Sequence, residues 1–426
     1  HALDLDRRVQ QEPDYVAEDF IRMANQKGLF SLWIPKIFGG RGHNLPSVCY
    51  FLEELASGCT GMANLIGVHY LGVATLISSW NSRVIQKVFK SVIDGEKRGR
   101  PNLISLALTE PDAGTDIEDA DLLDRGRVSC HARKVAGGYV VNGRKVFISN
   151  GHLSRWHILF AFADLDRPSD NLVLLAVEKG MDGFSLGRIE HKLGQKGCPA
   201  SELNFDECFV PDANVCIDPA QASKIKRSRP RTTSQIIDYL FSASRAGVAA
   251  FGAGVARGAY ETALAFCART RVQGRRLINH QWTQSHLAEM YKNAAVARLC
   301  YVESNYANSM YGMYRLLQLK PLYYLYKYTP ASVLNTLLPV FFEHSLGTWM
   351  LRKVQYDQQS DAQIERTSGW GSLAKFTATD AGVTNAQMAL DLMGQAGLRQ
   401  DQTAEKHLRD ARLLQIYEGT NQLNRI

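Results

Sequence analysis

The chain has 426 residues, 45% hydrophobic and 21% charged, which excludes a disordered or low-complexity protein and predicts a soluble globular one. That length exceeds what one hydrophobic core holds comfortably, so two or three domains are expected. A formal charge of +7 suits an anionic ligand, and on its own would equally suit nucleic acid or an anionic membrane surface. The eight cysteines show no Cys-x-x-Cys pair and no metal-ligand spacing, and the histidines are scattered. No metal site is implied, and reduced, buried thiols in a reducing compartment are expected. No secretory signal pattern opens at His1, and no apolar run reads as long enough to span a bilayer.

From about residue 5 to 100 the periodicity is helical. Phe20, Met23, Ala24 and Leu29 recur at helical spacing, and Val48–Ala56 and His69–Trp80 read as buried helices. Ile34-Pro35-Lys36-Ile37-Phe38-Gly39-Gly40 breaks the pattern between helices. From 103 to about 218 the period changes to two. Gly138–Val141 and Arg144–Ile148 flank Asn142-Gly143, which predicts a type I′ hairpin. His157–Ala163, Asn171–Val177 and Ser201–Phe209 read as further strands. Beyond about 236 the chain is helical again, with alanine-rich stretches at Ala243–Ala268 and Ala374–Leu392 and a last one at Thr403–Ile416. The expectation is a multi-domain α+β protein: an N-terminal helical domain over 1–102, a β domain over 103–222, and a C-terminal helical bundle over 223–426 with an insertion near 308–362.

Short elements along this frame carry the functional signal. They are Leu106-Ala107-Leu108-Thr109-Glu110-Pro111-Asp112-Ala113-Gly114-Thr115-Asp116, then Val141-Asn142-Gly143-Arg144-Lys145-Val146-Phe147-Ile148-Ser149-Asn150-Gly151, then Leu193-Gly194-Gln195-Lys196-Gly197. A strand ending Asn204-Phe205-Asp206-Glu207-Cys208-Phe209-Val210-Pro211 follows. Last, His407-Leu408-Arg409-Asp410-Ala411-Arg412 leads into Gln415-Ile416-Tyr417-Glu418-Gly419-Thr420-Asn421-Gln422. An isolated Glu-Gly would be a frayed helix end with a glycine cap. Glycine after an acid also lets the chain turn sharply and a ligand approach the backbone. In this order and spacing the elements resemble the acyl-CoA dehydrogenase family, flavoenzymes that desaturate acyl-CoA thioesters, and the resemblance covers most of the chain. It implies a barrel-like middle β domain, FAD held between that domain and the bundle, and a homo-oligomer, tetramer or dimer. It also implies an electron-transfer flavoprotein as acceptor, and a location in bacterial cytoplasm or mitochondrial matrix.

Desaturating a thioester removes a weakly acidic α-proton, which a carboxylate can take if water is excluded and the developing enolate is stabilised. The β-hydride needs an electron sink that no amino acid supplies. By resemblance the sink is FAD and the base is Glu418, whose backbone N–H would polarise the carbonyl together with a flavin ribityl hydroxyl. Some family members place the base on a bundle helix, directly before the arginine that matches Arg245; that position is Ser244 here, which cannot serve. Leu106, Leu108, Thr109, Gly114 and Thr115 match the loop along one side of the flavin ring, and Phe147, Ile148 and Ser149 the strand on its other part. By alternation alone, Phe147 and Ile148 are buried packing residues. Arg271, Gly394, Thr420 and Gln422 complete the flavin set implied by the resemblance. Thr115, Ser242, Arg245, Tyr417 and Gly419 form the substrate set, although an arginine such as Arg245 is equally a surface ion-pair residue.

Two departures weaken the inter-subunit half of the flavin site. Arg271-Val272-Gln273-Gly274 stands where the family has Arg-x-x-Phe-Gly, and Asp391 stands where a glutamine opens Gln-x-x-Gly-Gly-x-Gly. An aspartate near a pyrophosphate is unfavourable unless it turns away. Two insertions are also distinctive. The basic run Lys224-Ile225-Lys226-Arg227-Ser228-Arg229-Pro230-Arg231 reads as a solvated linker, with CoA phosphates or an acidic partner as the alternative. The tyrosine-rich segment between about Asn308 and Ala362 is expected to pack on its own bundle or a subunit interface, with a peripheral membrane contact as the other option. The function expected is FAD-dependent α,β-dehydrogenation of an acyl-CoA. The alternatives are a non-catalytic DNA-associated or assembly-factor relative, or a flavin oxidase or monooxygenase. An intact Tyr417-Glu418-Gly419-Thr420 argues against a binding protein, and no nucleic-acid partner is expected.

Overall fold

Five helices open the chain: α1 (Ala2–Gln11), α2 (Glu18–Gln26), α3 (Leu45–Gly58), α4 (Thr60–Ser78) and α5 (Ser82–Lys97). The computed structural model describes residues 2–12, 15–79, 81–222, 232–311, 320–330, 332–334, 336–337, 340, 345–353 and 360–426. Asn44 caps α3 by accepting from the Ser47 N–H at 3.0 Å, with Pro46 in the first turn. α5 is amphipathic and buries Val84, Ile85, Val88, Phe89, Val92 and Ile93. Contrary to the sequence expectation, α4 is long and apolar enough to cross a bilayer; 72% of that apolar window is buried inside the protein, so it is a core helix. Gly72 lets it lie on strand β1 (Leu103–Ala107), where a Cβ would meet Ile104 Cγ2 at 2.5 Å. His69 ties the two elements, accepting from the Ile104 N–H at Nδ1 (3.1 Å) and donating from Nε2 to the Phe30 carbonyl (2.8 Å). Burial pushes this histidine down to about 4, which keeps the ring neutral, as that pairing requires.

The strands that follow are β2 (His131–Val135), β3 (Gly138–Ser149), β4 (Ser154–Phe162), β5 (Leu172–Glu178), β6 (Phe184–Ile189), β7 (Ala200–Pro211) and β8 (Val215–Ile217). They form one sheet in the order β6-β7-β3-β2-β4-β5-β8, with β1 added parallel to β4. Alternation along β4 sends Trp156, Ile158, Phe160 and Phe162 into the helical core, and Leu159 and Ala161 into the β domain's own core. The predicted hairpin at Asn142-Gly143 does not form. β3 runs through it as one strand, with a bulge against β7 between Val141 and Gly143. A Cβ on Gly143 would lie 2.7 Å from Cys130 Cα. Asn142 meanwhile brackets Glu207, accepting from its N–H at 2.8 Å and donating to its carboxylate at 2.6 Å. The Asn-Gly chemistry serves a bulge, and the reversal lies between β2 and β3.

After the short helices α6 (Ala120–Arg125) and α7 (Pro219–Ala222), the bundle is built on α8 (Thr232–Arg269). It continues through the ribbon β9 (Arg271–Val272) and β10 (Arg275–Arg276), α9 (Gln281–Tyr311), α10 (Lys320–Tyr328), α11 (Ser345–Arg352), α12 (Asp361–Met393) and α13 (Ala404–Leu414). The small residues of α8 permit close approach: a Cβ on Gly252 would lie 2.5 Å from the Ala378 backbone of α12, and one on Gly254 2.5 Å from the Glu53 carbonyl of α3. Glu53, buried on α3, accepts from the Arg298 guanidinium and the Tyr301 hydroxyl of α9, tying the N-terminal helices to the bundle. All eight cysteines are free thiols and seven are buried. The basic run at 224–231 lies outside the described residues, as does part of the 308–362 insertion. Where the insertion is described, Leu334 is buried, whereas Tyr323, Tyr324, Leu325, Tyr328, Trp349 and others are exposed.

Candidate active site

A cleft of about 660 Å³ lies between the β domain, helices α3, α4 and α8, and the loop after α13. Its walls are largely apolar, with Leu106, Leu108 and Phe147 from the β domain facing Phe241, Val248 and Phe251 from α8. The Leu106–Thr115 loop is anchored by the glutamate of its own motif. Glu110 pairs with Lys145 of β3 at 2.7 Å, both side chains fully buried, and also accepts from the Ser129 and Cys130 N–H groups. Lys145 donates in addition to the Leu108 carbonyl at 2.8 Å. Glu110 therefore holds the shape of the loop and leaves its neighbours to face the cleft.

Phe147 corrects the reading by alternation. A second bulge between Lys145 and Ile148 puts it at φ 56°, and the residue is 57% exposed and lines the cleft, while Ile148 is buried. A bulky residue in left-handed backbone costs on the order of 1–3 kcal/mol and is found where the surroundings impose it. Across from it, the Thr109 and Thr115 hydroxyls have no partner among the described residues, and only Thr109 Cγ2, at 3.9 Å, comes near a Cβ built on Gly114. A flat apolar ring with a hydrogen-bonding edge fits these residues.

The opposite wall is the Glu418 loop. Glu418 and Gly419 are consecutive left-handed residues, at φ 57° and 75°. Three polar side chains hold this turn. Lys375, fully buried on α12, donates to the Gly419 carbonyl at 2.6 Å and to Asn421 Oδ1 at 2.7 Å. Asn424 donates to the carbonyls of Glu418, Gly419 and Thr420. Asn421 donates to Asp380 at 2.8 Å. The Glu418 carboxylate itself accepts from the Ser244 hydroxyl at 2.6 Å. Arg245 donates from Nε to the Glu418 carbonyl (3.4 Å) and from its other nitrogens to Ser372 (3.0 Å) and to Glu118 (2.7 Å), so it is no surface residue. The backbone N–H of Glu418 has no acceptor among the described residues.

Two carboxylates and two cations are thus packed together. Burial raises Glu418 above the ordinary carboxylate range, while the Ser244 hydrogen bond, Arg245 and Lys375 pull the other way. Burial, reinforced by Glu418 and opposed by Arg245, pushes Glu118 up to about 7. Lys375 is pushed down to about 7 by burial, against the pull of Glu118 and Glu418.

A second junction lies beside it. A Cβ on Gly194 would sit 2.3 Å from the Arg409 carbonyl of α13, so glycine allows the β-domain loop to touch that helix. Next to it, the Gln195 N–H and Nε2 donate to the Asp410 carboxylate (2.5 Å) and carbonyl (2.8 Å). Its Oε1 accepts from Asn64 of α4 (3.0 Å) and from the Tyr417 hydroxyl (3.2 Å). Asp410 pairs with Lys406 at 2.5 Å in full burial.

Of the residues singled out by sequence, Leu106, Leu108, Thr109, Gly114, Thr115, Phe147, Ile148, Ser149, Tyr417, Glu418 and Gly419 meet in this cleft. Arg245 lies directly behind the Glu418 loop. Ser242 points away, its hydroxyl bonded to the Tyr239 carbonyl. Thr420 accepts from the Leu423 N–H at the base of the loop, and Gln422 is exposed. Arg271, in the exposed β9–β10 ribbon, and Gly394, exposed at the end of α12, do not line the cleft; nor does Asp391, which is also exposed. Sequence reasoning missed Glu118, Lys375, Asn421 and Asn424. A lone lysine inside the apolar Ala374–Leu392 stretch was the available signal for Lys375.

Comparison with known proteins identifies the family. Family models of the acyl-CoA dehydrogenase N-terminal, middle and C-terminal domains match residues 2–96, 105–208, and 234–308 with 349–426. An acyl-CoA dehydrogenase of Bacillus subtilis (strain 168) is 26% identical over 420 residues, spanning 98% of this chain and 90% of its own. Among solved structures, butyryl-CoA dehydrogenase from Megasphaera elsdenii superposes with a TM-score of 0.72 at 21% identity, covering 99% of this chain and 94% of that one. PigA, solved with FAD and proline, gives 0.73 at 18% identity, covering 99% and 90%. The fold and cleft define a flavoenzyme of the acyl-CoA dehydrogenase type. The chain belongs to the acyl-CoA dehydrogenase family, and FAD is its cofactor.

Proposed function

We propose that this enzyme desaturates the acyl group of an acyl-CoA thioester, with Glu418 taking the α-proton, and that an electron-transfer flavoprotein receives the electrons. The single observation that carries the reading is the Glu418 loop itself. A carboxylate raised by burial stands at the wall of an apolar cleft, on strained backbone held by Lys375, Asn424 and Arg245. A base in water-poor surroundings with a raised pKa is matched to a weak carbon acid. FAD, when bound, supplies the two-electron sink for the β-hydride.

The residues that would hold the cofactor are the Leu106–Thr115 loop and Phe147–Ser149, with Thr109 offering a free hydroxyl to the polar edge of the ring. The free N–H of Glu418 is positioned on the same loop as the base, where it would donate to the thioester carbonyl and stabilise negative charge on that oxygen. Ser244 holds one carboxylate oxygen and fixes the orientation of the other. The cleft wall from α3, α4 and α8, including Val48, Leu52, Leu71 and Val248, suits a hydrocarbon acyl chain.

The test is anaerobic mixing of the purified FAD protein with a panel of straight and branched acyl-CoAs while the oxidised flavin absorbance is followed. Bleaching by at least one thioester, with enoyl-CoA as product, is expected. A flavin that binds in stoichiometric amount and is reduced by none of them refutes the reading.

A further inference from the structure

The C-terminal family model matches residues 234–308 and resumes at 349, so the tyrosine-rich segment is an addition to the shared fold. Its described part carries α10, helical residues at 332–334, 336–337 and 340, and the start of α11, whose last residues fall within the part that the family model matches. Ten large apolar side chains there are more than 40% exposed: Tyr323, Tyr324, Leu325 and Tyr328 on α10; Val333, Leu337 and Val340 between the helices; and Leu346, Trp349 and Met350 on α11. Scattered exposed apolar residues are ordinary on a protein surface; ten within one short segment are not.

Charge accompanies the apolar surface. Between 312 and 353 the sequence holds five basic residues (Arg315, Lys320, Lys327, Arg352 and Lys353) against one acid, Glu343. Two of the lysines sit on aromatic rings. Lys327 Nζ lies 5.5 Å from the Tyr323 ring centroid and 5.3 Å from that of Tyr328, and Lys353 Nζ lies 4.7 Å from that of Trp349. Tyr324 and Tyr328 stack at 5.9 Å, one helical turn apart.

We propose that this segment is a docking surface for an anionic lipid bilayer. Tyrosine and tryptophan rings with polar tips favour the depth of the headgroups, and lysines beside them reach lipid phosphates while their stems stay on apolar surface. At nine and eight residues, α10 and α11 are far too short to span a membrane, so the element lies on it. A second copy of the chain is the weaker occupant. In a two-fold interface the same patch faces itself, and this one would bring the basic patch of Lys320, Lys327 and Lys353 against the same patch of the other copy.

The experiment is co-sedimentation of the full-length FAD protein with vesicles of phosphatidylcholine alone and of phosphatidylcholine with phosphatidylglycerol, at low and high salt. Two variants accompany the parent: Tyr323→Ser/Tyr324→Ser/Trp349→Ser, and Lys320→Glu/Lys327→Glu/Lys353→Glu. Flavin content and oligomeric mass check that each is folded and assembled. The parent should pellet with the anionic vesicles, weakly with phosphatidylcholine, and less at high salt. Each basic residue near an anionic surface is worth roughly fivefold in affinity, so the charge reversal should weaken binding by about 100-fold or more. The aromatic variant should also lose binding while keeping its flavin. A parent that stays in the supernatant with both vesicle types overturns the proposal. So does equal binding to both, or parental binding by both variants. An aromatic variant that changes oligomeric mass while pelleting like the parent would assign the face to a subunit contact instead.

Discussion

Ser244→Ala probes the base through a single hydrogen atom. The Ser244 hydroxyl donates to Glu418 at 2.6 Å, in surroundings that otherwise raise the carboxylate's pKa. A hydrogen bond to a charged group contributes on the order of 1.5–3 kcal/mol. The bond favours the ionised form, so losing it raises the Glu418 pKa further. Glu418 must be ionised to take a proton. The rate of flavin reduction therefore rises with pH along a limb set by Glu418, and in Ser244→Ala that limb moves to higher pH. Below the limb the variant should be about 10–100-fold slower; well above it the two enzymes should converge. Stopped-flow reduction under anaerobic conditions, read across pH at saturating acyl-CoA, measures this directly. Ser244→Thr keeps a hydroxyl and should keep the parental limb. A Ser244→Ala profile that superposes on the parent's would refute the assigned coupling. A drop of equal size at every pH would mean that Ser244 acts on geometry alone.

Glu418→Gln should keep FAD and thioester binding and lose about 10²–10⁴-fold or more in flavin reduction, since an amide cannot accept the α-proton; single-turnover reduction measures it. Glu118→Gln should flatten the pH dependence of thermal stability. The folded value near 7 lies above the ordinary 4.5, so this group's stabilisation is full below about 4.5 and is lost as pH rises through 7. The parent should therefore lose on the order of 3 kcal/mol between those limits that the variant does not lose, visible as diverging melting curves. Lys375→Met removes the donor to Gly419 and Asn421 inside the core. It should cost on the order of 3 kcal/mol in unfolding experiments, and it should abolish reduction by substrate in protein that still carries flavin.

The order of helical, β and helical blocks was legible because periodicity survives in single elements. Val48–Ala56 lies inside α3, Ser201–Phe209 inside β7, and Ala374–Leu392 inside α12. What misled was local chemistry with two uses. Asn142-Gly143 carries the composition of a reversal, yet its glycine is needed against Cys130 beside β2 and its asparagine against Glu207, a contact made only after β7 is in place. Phe147 obeys the alternation of a buried strand residue until a bulge turns it outward. Glu418 could be found because it sits in a compact local motif. Its supports could not, because Glu118, Ser244 and Lys375 come from three separate parts of the chain and have meaning only in space. Ser244 was noticed solely as a position lacking a carboxylate; the structure makes it that carboxylate's hydrogen-bond donor.

The junction at Gln195 bears on how the molecule can move. One side chain and its own N–H join α4, the β domain, α13 and the Tyr417 hydroxyl through four hydrogen bonds, three of them buried. Swinging the β domain away from the bundle would break these at once and strand the Asp410–Lys406 pair beside them. A hinge at that seam is thus a costly motion. Traffic to the cleft that left this seam intact would have to pass around a frame that stays shut there, selecting ligands by the shape of a standing passage.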